Sequence, residues 1–278
     1  MKIVGGMNMK KIAFIGTGNM GGALIKATCK AVDPKEVLIT NRTIAKAQEL
    51  SDELGCCLAQ NNQEAVKNAS YIVLCVKPQV INEVLEEIAP VVREEAKKRE
   101  LVLTTIVVGK KIADYTEIIG LKELPVIRTM PNMPAAIGQG MTIAARNEFV
   151  KDAQMQEYFS LMKESGLMEE VAEDKMNAAG NLSGCAPAWA FLFIEALADG
   201  AVQTGVPRKS AVKYAAQTVL GAAQMVLETG KHPGELKDAV CSPGGTTIVG
   251  VRALEDRGFR GATMSAVTAA YEKTIGMK

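Results

Sequence analysis

A glycine-rich turn set directly behind a short apolar run constrains this chain more than any other feature. Ile12 to Ile15 form the run; Gly16, Gly18 and Gly21 follow with the spacing G-x-G-x-x-G, and a helical pattern continues from Met20 to Ala31. Three glycines at this spacing are weak evidence alone. Placed between a strand and a helix, with a second strand about twenty residues further on, they predict a strand-turn-helix unit that cradles a dinucleotide. Gly16 permits the tight turn, Gly18 lets the backbone approach a pyrophosphate, and Gly21 lets the helix pack close to the strand. The helix N-terminus then faces the phosphates. The second run, Val37 to Thr40, ends in Asn41 and Arg42, where a chain that binds NAD carries an Asp or Glu for the ribose 2′-hydroxyl. An amide and a guanidinium suit a dianionic 2′-phosphate instead, which selects NADPH. The plainer reading of Arg42 is a solvated side chain at a strand end.

Alternation carries the pattern onward. Ile72–Val76, Leu101–Thr105, Val126–Met130 and Met141–Ala145 are further β-branched or apolar runs, with candidate helices at Thr43–Leu54, Gln79–Ile88 and Lys151–Ser165. Continuously apolar strands separated by helices predict a mostly parallel sheet covered on both faces. Beyond about Glu173 the β pattern stops, and Ala-rich segments take over at Ala186–Thr204, Arg208–Thr229, Thr247–Arg257 and Ala262–Ile275. The expected fold is therefore α/β: a Rossmann-type dinucleotide-binding domain over residues 9–172, then an all-α domain over residues 173–278. Pro207 should start one helix and Gly230 end it. Small residues on several faces of the helical half (Ala196, Ala198, Gly200; Ala215, Gly221, Ala222) leave a single bundle of this size little to bury, which points to burial against a second subunit. A self-contained bundle is the alternative.

Composition narrows the function classes. A net charge of +1 in 278 residues argues against a nucleic-acid partner. Six cysteines without metal-ligand spacing, and one histidine, His232, argue against a metal site and for thiols in a reducing cytoplasm. Cys56 and Cys57 read as the start of a small strand, with a redox pair as the sharper alternative. Residues 1–8 read as a short leader with no signal-peptide stretch. The most apolar later stretch, Cys185 to Ile194, is too short to cross a bilayer, so no membrane is expected.

Two further stretches carry candidate chemistry. Cys75, Val76, Lys77 and Pro78 end a strand on the edge where such sheets bind ligands, so that Lys77 either faces the cofactor or caps the strand in solvent. The prolines of Arg128–Pro134 fix a loop on the same edge. Ser242 to Thr247 form a Ser-Pro-Gly-Gly turn that opens a helix at the threonines. Successive amides at a helix start suit a small carboxylate; an ordinary helix-helix turn with a Thr cap fits the same spacing.

With these motifs in this order, and above all Leu182–Phe191 and Ala239–Ile248, nearly the whole chain resembles pyrroline-5-carboxylate reductase. The resemblance implies NADPH-dependent reduction of 1-pyrroline-5-carboxylate to L-proline, with NADH as a weaker donor. By motif, Ile15, Gly16, Thr17, Gly18, Asn19, Met20 and Gly21 would hold the pyrophosphate, Asn41 and Arg42 the 2′-phosphate, and Asn62 the adenosine ribose. Cys75 to Pro78 would lie along the nicotinamide side. Ser242 and the amides of Gly245, Thr246 and Thr247 would bind the substrate carboxylate, and the Thr247 hydroxyl would act at the ring nitrogen. A homodimer, further assembled into a decamer in many members, is implied as well. Ile106-Val107-Val108 is bulkier than the family pattern beside the nicotinamide, and Ala239 replaces an Asn. Two competing functions are a β-hydroxyacid dehydrogenase, disfavoured because no lysine follows Ser183 before Lys209, and an NADPH-binding regulator without turnover.

Overall fold

The computed structural model describes residues 9–276, so the leader lies outside the described residues. An eight-stranded sheet in the order β3-β2-β1-β4-β5-β6-β7-β8 forms the first unit. Its strands are β1 (Lys10–Ile15), β2 (Val37–Thr40), β3 (Cys57–Leu58), β4 (Ala69–Leu74), β5 (Val102–Thr105), β6 (Val126–Met130), β7 (Gly140–Arg146) and β8 (Gly166–Glu170). All neighbouring pairs are parallel except β6 and β7. The order reverses at β1, which lies between β2 and β4, so the turn after β1 sits where such sheets open a crevice.

Alternate side chains along each strand feed two cores. Ala13, Ile15, Ile72 and Leu74 pack under α3 (Asn62–Lys67), α4 (Ile81–Glu95) and α5 (Ile112–Ile119). Ile12, Phe14, Tyr71 and Val73 pack under α1 (Asn19–Ala31), α2 (Ile44–Leu54) and α6 (Asp152–Met162). Burial of each large aliphatic or aromatic side chain contributes roughly 1.5–3 kcal/mol, so the two-faced packing accounts for the β-branched runs. Cys57 does start a strand; the thiol that meets Cys56 is that of Cys29, not its neighbour.

The helical part comprises α7 (Met176–Gln203), α8 (Arg208–Thr229), α9 (Pro233–Val240), α10 (Thr246–Asp256) and α11 (Phe259–Thr274). Pro207 precedes α8, and Gly230 ends it in the left-handed region at φ 63°. Helix α7 starts ten residues earlier than the expected Ala186, running through Gly180, Gly184 and Pro187. A proline inside a helix leaves the carbonyl four residues back without a donor. For Pro187 that carbonyl is Ser183 O, and Asn132 Nδ2 donates to it at 2.9 Å. Gly180 lets the Met130 thioether lie against the helix, since a Cβ there would come within 2.4 Å of Met130 Sδ. Since the first turns of α7 pack on the sheet, the two compact units divide between Gly184 and Cys185. The same continuity corrects the expected shortness of the apolar stretch: Glu173–Gln203 is one helical segment, and by length and composition it could cross a membrane.

Candidate functional site

The glycine turn is built as its spacing requires. Gly16 has φ 109°, and a Cβ there would lie 2.5 Å from Cys75 O. Gly21 brings α1 against the turn so closely that a Cβ would meet Gly16 O at 2.4 Å. Gly18 differs: nothing lies within 4 Å of where its Cβ would be. The first turn of α1 has no side-chain cap and no acidic residue, so its amides and dipole favour an anion. Thr17 Oγ1 is buried without a hydrogen-bond partner. An orphaned hydroxyl beside uncapped helix amides is the donor set that a pyrophosphate satisfies. Ile15 ends β1, while Asn19 and Met20 begin α1.

The neighbouring strand ends complete this edge. Asn41 is already engaged: its Oδ1 accepts from Thr17 N at 3.3 Å, and its Nδ2 donates to Thr43 O at 3.1 Å. It therefore ties the glycine turn to the start of α2. Arg42 is exposed beside it, just before that helix start. Asn62 begins α3 and donates from Nδ2 to Glu87 Oε2 at 2.8 Å. Cys75 to Pro78 lie past the end of β4, with Cys75 N bonded to Ile15 O at 2.8 Å. Burial pushes the Cys75 thiol up, so it stays protonated. Val76 is half-buried, whereas Lys77 is exposed and Pro78 begins a 3-10 turn. These groups share the C-terminal edge of β1, β2 and β4; Asn62 enters from the helix that follows β3.

In the second unit, Ser242 to Gly245 turn into α10. Gly244 takes φ 68°, and Gly245 is the cap residue. The amide expected from Gly245 is already used, because Gly245 N donates to Ser242 O at 3.0 Å. Gly245 serves instead by its missing side chain, since a Cβ would meet Ser242 Oγ at 2.3 Å. The remaining first-turn amides include those of Thr246 and Thr247, with no side-chain cap and no acidic neighbour in that turn. His232 accepts from Gly234 N through Nδ1 at 3.1 Å and so caps α9. No cluster of three His, Cys, Asp or Glu side chains suited to a metal occurs among the described residues.

A buried group that the sequence reading left without a role is Arg128, only 3% exposed, which donates from Nη2 to Asn177 Oδ1 at 3.0 Å. Its position late in a strand was the available signal.

Residues 11–107 match the family described as NADP oxidoreductase, coenzyme F420-dependent, and residues 173–277 match pyrroline-5-carboxylate reductase dimerisation. Pyrroline-5-carboxylate reductase of Escherichia coli (strain K12) is 39% identical over 267 residues, 95% of this chain and 97% of that protein. The chain belongs to the pyrroline-5-carboxylate reductase family. The structure of such a reductase from Coxiella burnetii is 33% identical with a TM-score of 0.89, covering 98% of this chain and 99% of that one. The Plasmodium falciparum pyrroline carboxylate reductase structure, solved with NADP bound, has 30% identity, a TM-score of 0.82 and the same coverage. Members of the family are reductases of a C=N bond that use NAD(P)H, and their dimerisation part corresponds to the helical half here.

Proposed function

We propose that the chain reduces 1-pyrroline-5-carboxylate to L-proline, with NADPH as the preferred donor and NADH as a weaker one. The observation that carries this reading is family membership along nearly the full length, with both the glycine turn and the Ser242–Thr247 turn present. When bound, the dihydronicotinamide supplies the hydride. The chain's own residues bind, orient and handle protons. The glycine turn and Thr17 hold the pyrophosphate, Arg42 grips the 2′-phosphate with Asn41 alongside, and Asn62 reaches the adenosine ribose. Cys75 to Pro78 border the nicotinamide.

The amides of Thr246 and Thr247, with Ser242, hold the substrate carboxylate at the start of α10, and Gly245 leaves the room that the Ser242 hydroxyl occupies. Once protonated, the cyclic imine is electrophilic at C5 without a metal, so catalysis is largely orientation. The Thr247 hydroxyl stabilises the protonated nitrogen and the amine that replaces it. One such hydrogen bond is worth about 1 kcal/mol in binding and more in a desolvated transition state. The apolar helices that follow Glu173 read as subunit contact rather than membrane span. The active unit is at least a dimer, with dimers assembling into a decamer, and it works in the cytoplasm.

The test is oxidation of NADPH followed with authentic 1-pyrroline-5-carboxylate. Substrate-dependent turnover that is faster with NADPH than with NADH is expected. Tight NADPH binding without turnover would overturn the enzymatic reading in favour of a redox-sensing regulator.

A further inference from the structure

The loop from Ile106 to Lys111 leaves the C-terminal end of β5 on the same sheet edge as the glycine turn, and it is fastened at both ends. At its near end Ile106 N bonds to Leu74 O at 3.1 Å, beside the departure of Cys75–Pro78. Val107 N bonds to Thr105 Oγ1 at 3.1 Å, and that hydroxyl shares a 3.0 Å hydrogen bond with the buried Tyr115. At its far end Lys111 N donates to Asp114 Oδ2 at 2.7 Å, a bond local to α5. Ile112 N, the first amide of α5, donates to Glu173 Oε1 at 2.6 Å, which ties that end to a distant part of the chain. The same oxygen lies 3.6 Å from Arg128 Nη1, while Arg128 also holds Asn177 at the start of α7. Thr105 and Arg128 are register partners in β5 and β6, so their side chains share one face of the sheet.

Arg128 is incompletely paired. Its Nε is buried without a hydrogen-bond partner among the described residues, and its one carboxylate contact is long. Burying a guanidinium on these terms costs stability, and an apolar side chain would pack there more cheaply. The cation does, however, fix the carboxylate that caps α5. Removing it would free Glu173 to turn toward solvent and leave the far end of the loop held only by the local bonds between Lys111 and Asp114 within the first turn of α5.

We infer that Arg128 and Glu173 are positioning residues that hold the Ile106–Lys111 loop as a wall for the nicotinamide half of the cofactor. The inference rests on the proposed NADPH-dependent activity. A dinucleotide laid across the crevice has its 2′-phosphate end at β2, beside Arg42, and its nicotinamide end on the opposite side of β1, toward β4 and β5. Arg128 and Glu173 therefore act on one half of the cofactor only.

The experiment compares the affinities of NADPH and of 2′-phospho-ADP-ribose, which lacks the nicotinamide, by calorimetric titration of Arg128→Met, Glu173→Ala and Glu173→Gln. Glu173→Ala should weaken NADPH roughly tenfold, the order of one charge-assisted hydrogen bond, and leave the nicotinamide-free fragment unchanged. Glu173→Gln keeps an oxygen for Ile112 N and should restore most of the affinity. Arg128→Met should resemble Glu173→Ala; if it does not fold, the two Glu173 variants decide the matter alone. Equal weakening of both ligands, or of neither, would overturn the inference. Failure of the parent protein to bind NADPH would instead overturn the activity on which it rests.

Discussion

The sheet unit and the helical unit bury their apolar side chains to very different extents. In the sheet unit Phe14, Ile39, Ile72, Leu85 and Tyr115 are fully enclosed, and two cores cover both faces. In the helical unit the buried hydrophobic cluster consists of Ala198, Ala211 and Ala215, whereas Leu192, Leu227 and Val249 are each about two-thirds exposed. An exposed apolar surface of that extent marks an interface. One unit thus carries its own core, and the other leaves apolar side chains uncovered, in keeping with the match to a dimerisation family.

That contrast is broken most forcefully at the helices. Replacing Leu192 and Leu227 together by Glu places charges on the uncovered surface, and desolvating each costs several kcal/mol if a second copy covers it. Light scattering should then give a monomer, and kcat/KM should fall by roughly a hundredfold or more. A fully active monomer would show that the helical unit needs no second copy.

Arg42→Asp probes the opposite side of the comparison. The carboxylate repels a 2′-phosphate, so the ratio of kcat/KM for NADPH over NADH should drop by about a hundredfold, the order of two charge-assisted hydrogen bonds. The mass in solution should not change. An unaltered ratio would remove Arg42 from the cofactor site.

Thr247→Val keeps the β-branched shape without the hydroxyl. It should lower kcat/KM by roughly tenfold or more while NADPH affinity stays near normal, and Thr247→Ser should recover much of the loss. Gly245→Val should instead raise KM, because its Cβ would collide with Ser242 Oγ. Full activity in Thr247→Val would end the catalytic assignment.

The smallest effect concerns stability. Asn132 is 8% exposed and serves two backbone groups, donating to Ser183 O and accepting from Met141 N at 2.9 Å. Asn132→Leu strands both, and should cost about 1–3 kcal/mol in denaturant unfolding. No change in midpoint would mean that the carbonyl opposite Pro187 finds another donor.

How much of this was legible in the sequence follows the range of the interactions. The glycine turn, the fully buried strands and the Gly230 helix end are local, and local pattern located them. Helix α4 was expected to stop near Ile88 but continues through Pro90 to Glu95, since Pro90 and the residue four before it, Glu86, face solvent, where water can serve the unpaired carbonyl. Helix α7 outruns its local pattern for the opposite reason: its missing bond is supplied by Asn132, 51 residues away along the chain. Strand β8, with its exposed Leu167 and Glu169, carries too little apolar alternation to announce itself. The α10 turn was legible as a site, but the commitment of the Gly245 amide to Ser242 was not, because it depends on the φ values of the turn.

Asn41 has a consequence for how cofactor preference can drift. The residue that stands where a carboxylate would select the other dinucleotide is also the acceptor for Thr17 N and the donor to Thr43 O. Exchange to aspartate keeps the first bond and sets two oxygens against each other at the second, loosening the start of α2. A lineage under pressure to change electron donor therefore meets a structural toll at Asn41 and none at the exposed Arg42. Selection is steered toward the neighbouring arginine first, with the amide following only once the start of α2 has acquired a substitute tether.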